Sequence, residues 1–233
     1  MLLSTVFDRL TTIELSQLAV GGEEEGAIEE SNYPKILTAI NGALNQLYIR
    51  FPLKLQEVMI QQFDHISNYT LHTDFAQSNT ASTEVYKYIN DYAAEPFTDD
   101  VIKVELVYNE IGVELPLNDP DDHYSVFTPQ YNVLQIPYPD AANAVSVVYR
   151  ATPTLLVTTS TDLTVDVPIP PQMIEPLIAY TAHLIFGAGN IGGSEDASAY
   201  LAKYLRLCED LEKYGAFNVT RNTNLKLWRN GWV

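Results

Sequence analysis

Three short stretches of this sequence hold residue types that could do chemistry. Asp119, Asp121, Asp122 and His123 in LNDPDDHYS place three carboxylates and an imidazole within five residues. Such an oxygen-rich set suits calcium, but the central Gly and the bidentate Glu of a calcium-binding loop are missing. The stretch reads as a polar turn between strands. Gly187 to Gly193 (GAGNIGG) precedes a predicted helix, as a phosphate cradle does. No Lys stands at that helix start, and a helix rather than a strand feeds it. It reads as a helix–helix connection. Cys208 falls on an apolar helical stripe, which makes it a core residue rather than a nucleophile.

The other reactive types are scattered. His65, His72, His123 and His183 share no ligand spacing, and His183 is expected to pack near a helix surface. No Gly-x-Ser-x-Gly, His-Glu-x-x-His or Walker pattern occurs. The expectation is a protein without catalytic residues, metal or cofactor.

The last eighteen residues carry a different kind of chemistry. Ala216 to Val233 hold Arg221, Lys226 and Arg229 and no Asp or Glu. Before Ala216 there are ten Lys and Arg against thirty Asp and Glu, a formal charge of −20. The same tail contains both tryptophans, Trp228 and Trp232, with Leu225 and Leu227 beside them. Burying two indoles and two leucines does not offset the entropy of ordering eighteen backbones. The tail therefore needs backbone hydrogen bonds or a large partner surface, and it reads as an extended docking segment. Arg221, Leu225, Lys226, Leu227, Trp228, Arg229 and Trp232 are its candidate contact residues. Wrapping of the tail on its own domain is the alternative.

The whole chain, 233 residues with a formal charge of −17, is 46% hydrophobic and can bury a substantial core. Its charge argues against binding nucleic acid or an anionic membrane, both of which rest on Lys and Arg. One cysteine rules out an intrachain disulfide and fits a reducing compartment. The start MLLSTVFDRL lacks a basic n-region and is interrupted by Asp8, so no signal peptide is expected. No apolar run is long enough to span a membrane.

The elements that would position these groups follow from periodicity. Residues 4–18 predict a helix with Ser4 as N-cap and Val6, Leu10, Ile13 and Leu18 on one side. GGEEEGAIEES within 19–32 reads as a solvated acidic loop. Residues 34–51 predict a second helix, with Pro34 in the first turn and Leu37, Ile40, Leu44, Leu47 and Phe51 as its stripe. From Pro52 to Pro168 alternation takes over. Strands are expected at 65–71, at 102–108 with a hairpin turn into 113–115, at 133–136, at 145–149 and at 163–167. Residues 82–93 are ambiguous between helix and strand. Residues 172–186 and a stretch from Ser194 to Gly215 predict two more helices. The fold class is α+β: an antiparallel helical bundle (1–52 and 169–215), a large antiparallel β-sandwich or barrel-like insert (53–168) and an extended tail (216–233).

This order resembles the head-to-tail adaptor, or head-completion, proteins of tailed bacteriophages. PKILTAINGALNQLYIRFP (34–52) is similar to the family's Asn- and Leu-rich helix ending in an Arg-aromatic-Pro step. PFTDDVIKVELVYNEIGVELPLND (96–119) and VVYRATPTLL (147–156) are similar to its β-insert. IPPQMIEPLIAYTAHLIFGA (169–188) and AYLAKYLRLCEDLEKYG (199–215) are similar to its closing helix pair. The resemblance implies a virion structural protein of the neck, made in the host cytoplasm. It would form a dodecameric ring beneath the portal protein and contact neighbouring adaptor subunits. It would offer a platform to downstream tail or nozzle proteins, and DNA would pass its channel without specific binding. The family's C-terminal segment reaches the portal or a neighbour, a role that maps onto 216–233. So acidic a chain is expected to be a monomer alone and to assemble on the portal. The other function class open to the residues is a β-sandwich module that recognises carbohydrate or a host surface through its tyrosines.

Overall fold

The computed structural model describes residues 1–15, 28–188 and 193–215. Among these residues four α-helices and seven strands follow in the order α1 (Leu3–Arg9), α2 (Tyr33–Arg50), β1 (Leu55–Gln61), β2 (Asn68–Thr70), β3 (Ile89–Asn90), β4 (Val101–Asn109), β5 (Phe127–Gln130), β6 (Val133–Gln135), β7 (Ala144–Ala151), α3 (Ile174–Ala188) and α4 (Gly193–Lys213). The protein is therefore mixed α and β, with its described helices at both ends and its strands between them.

The helices share one apolar core. Leu37, Ile40, Leu44 and Leu47 of α2 are buried together with Leu3, Val6 and Phe7 of α1, Leu10 just after it, and Leu177, Ile178 and Ala182 from α3. The α2 stripe thus buries as its spacing requires, and Phe51 ends the helix in an extended conformation before Pro52. Helices α3 and α4 run antiparallel. The rings of Tyr180 and Tyr204 lie 4.8 Å apart, and Phe186 stacks on Tyr200 at 5.0 Å. Gly42 lets α2 approach α3, because a Cβ there would come within 2.9 Å of Leu184. Gly215, with φ +63°, follows α4 in the left-handed conformation that ends helices.

The N-terminal helix departs from expectation. It begins at Leu3 after an extended Leu2, with no side-chain cap, so Ser4 lies inside it. The amides of Leu3 and Ser4 donate instead to the carbonyls of Val165 and Leu163, both at 2.9 Å. These bonds satisfy donors that a cap would otherwise take. They also explain why residues 163–167 lie outside both sheets despite their alternating pattern: they strap the start of α1. Leu10–Glu14 then form a wider π-helical turn, closed by the Leu15 amide on the Leu10 carbonyl (2.7 Å). Most of the acidic loop expected within 19–32, and Leu18, lie outside the described residues; Glu30–Asn32 form a 3₁₀ turn.

The strands form two antiparallel sheets, one ordered β3-β1-β7-β4 and one ordered β2-β6-β5. Strands β1 and β7 pair without a break from Leu55–Arg150 to Gln61–Ala144. The hairpin after β4 forms as its turn residues require. Gly112 has φ +77°, and the Asn109 side-chain oxygen accepts from the amides of Ile111 and Val113. The expected strand at 65–71 narrows to Asn68–Thr70, and the ambiguous 82–93 contributes only Ile89–Asn90. Val58, Ile60, Val104, Val107, Val145, Val147 and Tyr149 of the larger sheet bury a common core with Tyr69, Leu134 and Val126 beside or in the smaller one.

The segment after β7 packs with the helices. Leu156 and Val167 are buried in the helical core, and Asn41 of α2 both donates to and accepts from the Leu156 backbone at 2.9 Å. Arg150 joins the two layers, donating to the Ile49 carbonyl at the end of α2 (2.6 Å) and pairing with Glu105 of β4.

Candidate functional site

Among the described residues, the stretches that promised chemistry do not come together in a reactive centre. In the Asp119–His123 turn the carboxylates serve the backbone: Asp119 Oδ1 accepts from the Asp121 amide (3.0 Å) and Asp122 Oδ1 from the Tyr124 amide (2.8 Å). Among the described residues no group of three His, Cys, Asp or Glu side chains is placed to hold a metal. Gly187 and Gly193 belong to α3 and α4, with residues 189–192 between them outside the described set. Cys208 is fully buried on α4, and burial pushes its thiol pKa up, the opposite of what a nucleophile needs. The histidines are dispersed. His65 packs on Tyr86, His72 Nδ1 accepts from the Asp74 amide, His123 packs on Tyr138, and His183 faces the Ala197 carbonyl between α3 and α4.

The candidate docking residues Arg221, Leu225, Lys226, Leu227, Trp228, Arg229 and Trp232 lie outside the described residues. The structure does describe the acidic body that precedes them. Its cations are largely spoken for. Arg9 pairs with Glu175, Arg50 with Glu212, Lys54 with Asp100, Lys103 and Arg150 with Glu105, and Lys203 with Glu14. Arg50 grips Glu212 through two nitrogens (2.7 and 3.2 Å), which holds that carboxyl below its usual range.

Two clefts open on the strand layer. The larger, about 920 Å³, lies where β3 leaves β1 after only two paired residues. Gln56–Met59 of β1 form one wall and the 90–98 loop the other, with Tyr149 at the base. The Tyr149 hydroxyl donates to Asp100 (3.0 Å), and burial followed by the Asp100 charge raises its pKa far above the ordinary value. Asp91 holds the loop, accepting from the Ser78 hydroxyl and from the amides of Ser78 (2.8 Å) and Phe97 (2.9 Å). Partial burial raises its pKa, but these three donors outweigh that and keep it a carboxylate below the usual range. Glu57 and Glu95 add two more acids.

The second cleft, about 350 Å³, is aromatic. His123 lies 4.6 Å from Tyr138 and 5.5 Å from Tyr124, and the two tyrosines are 70% and 75% exposed. Glu110, Asp140, Asn143 and Gln62 complete its rim. Neither cleft is legible as a local motif, because each joins side chains from separate strands and loops. The only local hint of the second is a tyrosine beside each of two turns, at 124 and 138.

No protein-family model matches this sequence. No curated protein matches it either.

Proposed function

We propose that this chain is a head-to-tail adaptor of a tailed bacteriophage: an antiparallel helical bundle carrying a β-sandwich insert, assembled as a ring beneath the portal. The observation that carries the reading is closure of the helical layer across the strand layer. Glu14 pairs with Lys203, Arg9 with Glu175 and Arg50 with Glu212, so the helical segments that precede the strands in the sequence are tied to the helices that follow them. That is the order in which the resembling family arranges its helices and insert. The acidic body suits a channel that DNA must slide through, since carboxylates repel phosphates. Many such copies also repel one another at low salt, so the isolated chain is a monomer that closes its ring on the portal.

Electron microscopy of the chain mixed with the portal protein of its own virion tests this. A ring seated under the portal is the expected image; portal particles without added density overturn the reading. Removing residues 217–233 is expected to abolish portal binding while leaving a folded body with a cooperative melting transition. Unchanged portal binding would remove the tail from the interface.

The aromatic cleft favours a second reading, in which the strand layer recognises carbohydrate. Exposed Tyr124 and Tyr138 offer ring faces, with Asp140, Glu110 and Asn143 as hydrogen-bonding groups at the rim. A glycan array with the whole chain decides it. Binding that Tyr138→Ala removes supports it; a blank array eliminates it.

A further inference from the structure

Strand β1 is covered on one side over its whole length by β7 but on the other by only two residues of β3. The Gln61 amide donates to the Tyr88 carbonyl on the β3 side, so by strict alternation Met59, Glu57 and Leu55 also turn their backbone groups to that side. β3 ends opposite Met59, and the chain then leaves β1 through the 91–98 loop. The amide and carbonyl of Glu57 therefore face the larger cleft as an open strand edge. The cleft around them is acidic and aromatic: Glu57, Asp91 and Glu95, with Met59, Tyr92 and Phe97. None of its described lining residues is Lys or Arg, and no cation among the described residues pairs with those three acids.

The sequence holds one segment with the complementary chemistry. Residues 216–233 carry three cations, no acid, two tryptophans and two leucines. Backbone hydrogen bonds are one of the two means by which they can become ordered, and an open edge offers those. Their starting point is also close. Gly215 lies three residues beyond Glu212, which binds Arg50, and four residues separate Arg50 from β1. Eighteen residues reach about 60 Å when extended. A segment tethered so near meets its own cleft at an effective concentration in the millimolar range, well above that of any free copy.

We infer that, before a partner engages it, the C-terminal segment of this chain adds as a strand to the open β1 edge at Glu57 of the same molecule, with tryptophan in the cleft beside Tyr92 and Phe97. The parked tail covers an edge that otherwise invites pairing with other chains. This goes beyond the adaptor reading and does not depend on it, since the receiving surface is the chain's own.

Trp228 and Trp232 are the only tryptophans, so tryptophan emission of the intact protein reports the tail alone. The expected result is acrylamide quenching roughly threefold weaker than in the denatured chain, and unchanged over about a hundredfold dilution. Glu57→Pro removes the edge amide without touching the β7 ladder. It should restore full quenching while circular dichroism holds. Should Glu57→Pro not fold, the double variant Glu57→Lys, Glu95→Lys leaves the backbone intact and should have the same effect by charge. Fully quenchable tryptophans in the wild-type chain overturn the inference. So does protection that survives in a folded groove variant, which places the tail elsewhere. Protection lost on dilution also overturns it, by assigning the cleft to a second copy's tail.

Discussion

The helical layer buries a larger core than the strand layer, and the two are held by different means. The helical core is mostly aliphatic, and its shape is set by side-chain stripes on α2, α3 and α4. Its few buried polar groups each have a specific task, as with Asn41 on the Leu156 backbone and Thr181 on the Leu177 carbonyl. The strand core is rich in tyrosine and is fastened by side chain to backbone bonds. The Tyr88 hydroxyl accepts from the Thr70 amide (2.8 Å) and donates to its carbonyl (2.9 Å). Tyr69 caps Phe63, Asp99 holds Thr73, and Asn118 holds Thr128. Short strands leave many loop amides and carbonyls to satisfy, and these side chains do it. One layer is therefore specified by shape and the other by polar satisfaction.

That contrast can be tested by removing one element of each kind. Leu44→Ala empties a fully buried site in the helical core, and a loss of about 2–5 kcal/mol is expected in urea unfolding. A loss below about 1 kcal/mol would mean that this core is loosely packed. Asn41→Ala strips both Leu156 backbone groups of their partner in a buried setting and should cost about 2–3 kcal/mol. Asn41→Leu should not recover it, because the orphaned groups stay buried.

Tyr88→Phe, in the strand core, should cost about 1–2 kcal/mol near neutral pH. Burial raises the Tyr88 pKa to about 12, against its backbone hydrogen bonds. A folded-state pKa above the ordinary value, about 10, means a contribution fully present below pH ~10 and lost as pH rises through about 12. The mutant should therefore show a shallower alkaline decline, read from melting temperatures at a series of pH values. The smallest effect belongs to Asp91→Ala, about 1 kcal/mol or less for a partly buried loop acceptor. Its lowered pKa places that contribution above the ordinary carboxylate value, and it fades as pH falls through the folded one. Faster exchange of the Ser78 and Phe97 amides is the measurement, and unchanged exchange would show that the loop does not rely on Asp91.

Elements whose pattern follows one period were legible in the sequence. The α2 stripe, the hairpin at Asn109–Gly112 and the α3/α4 pair all follow that rule. Others were hidden for physical reasons. β1 (LQEVMIQ) carries Val58 and Ile60 inward but Leu55 and Met59 outward, so both faces hold apolar residues and the alternation is blurred. β5 contains Pro129, which reads as punctuation; it sits where the ladder to β6 shifts register. Residues 163–167 alternate like a strand yet bind a helix start, a pairing no local pattern encodes. The clefts were illegible because their walls come from residues dozens of positions apart, such as Met59 with Glu95 or Gln62 with Tyr138.

The pairing of the early helical segments with the late helices also sets a schedule for synthesis. The seven described strands lie between residues 55 and 151, so the strand layer can close while the ribosome is still translating the second half of the helical core. Helices α1 and α2 emerge first and wait longest. Their partners at Leu156, Pro168, Glu175 and Lys203 arrive more than a hundred residues later. Until then the Leu37–Leu47 stripe is uncovered on a nascent chain, the condition in which hydrophobic segments recruit chaperones or one another. The two layers thus mature in reverse of their order in the sequence, with the earliest-made helices the last to be buried.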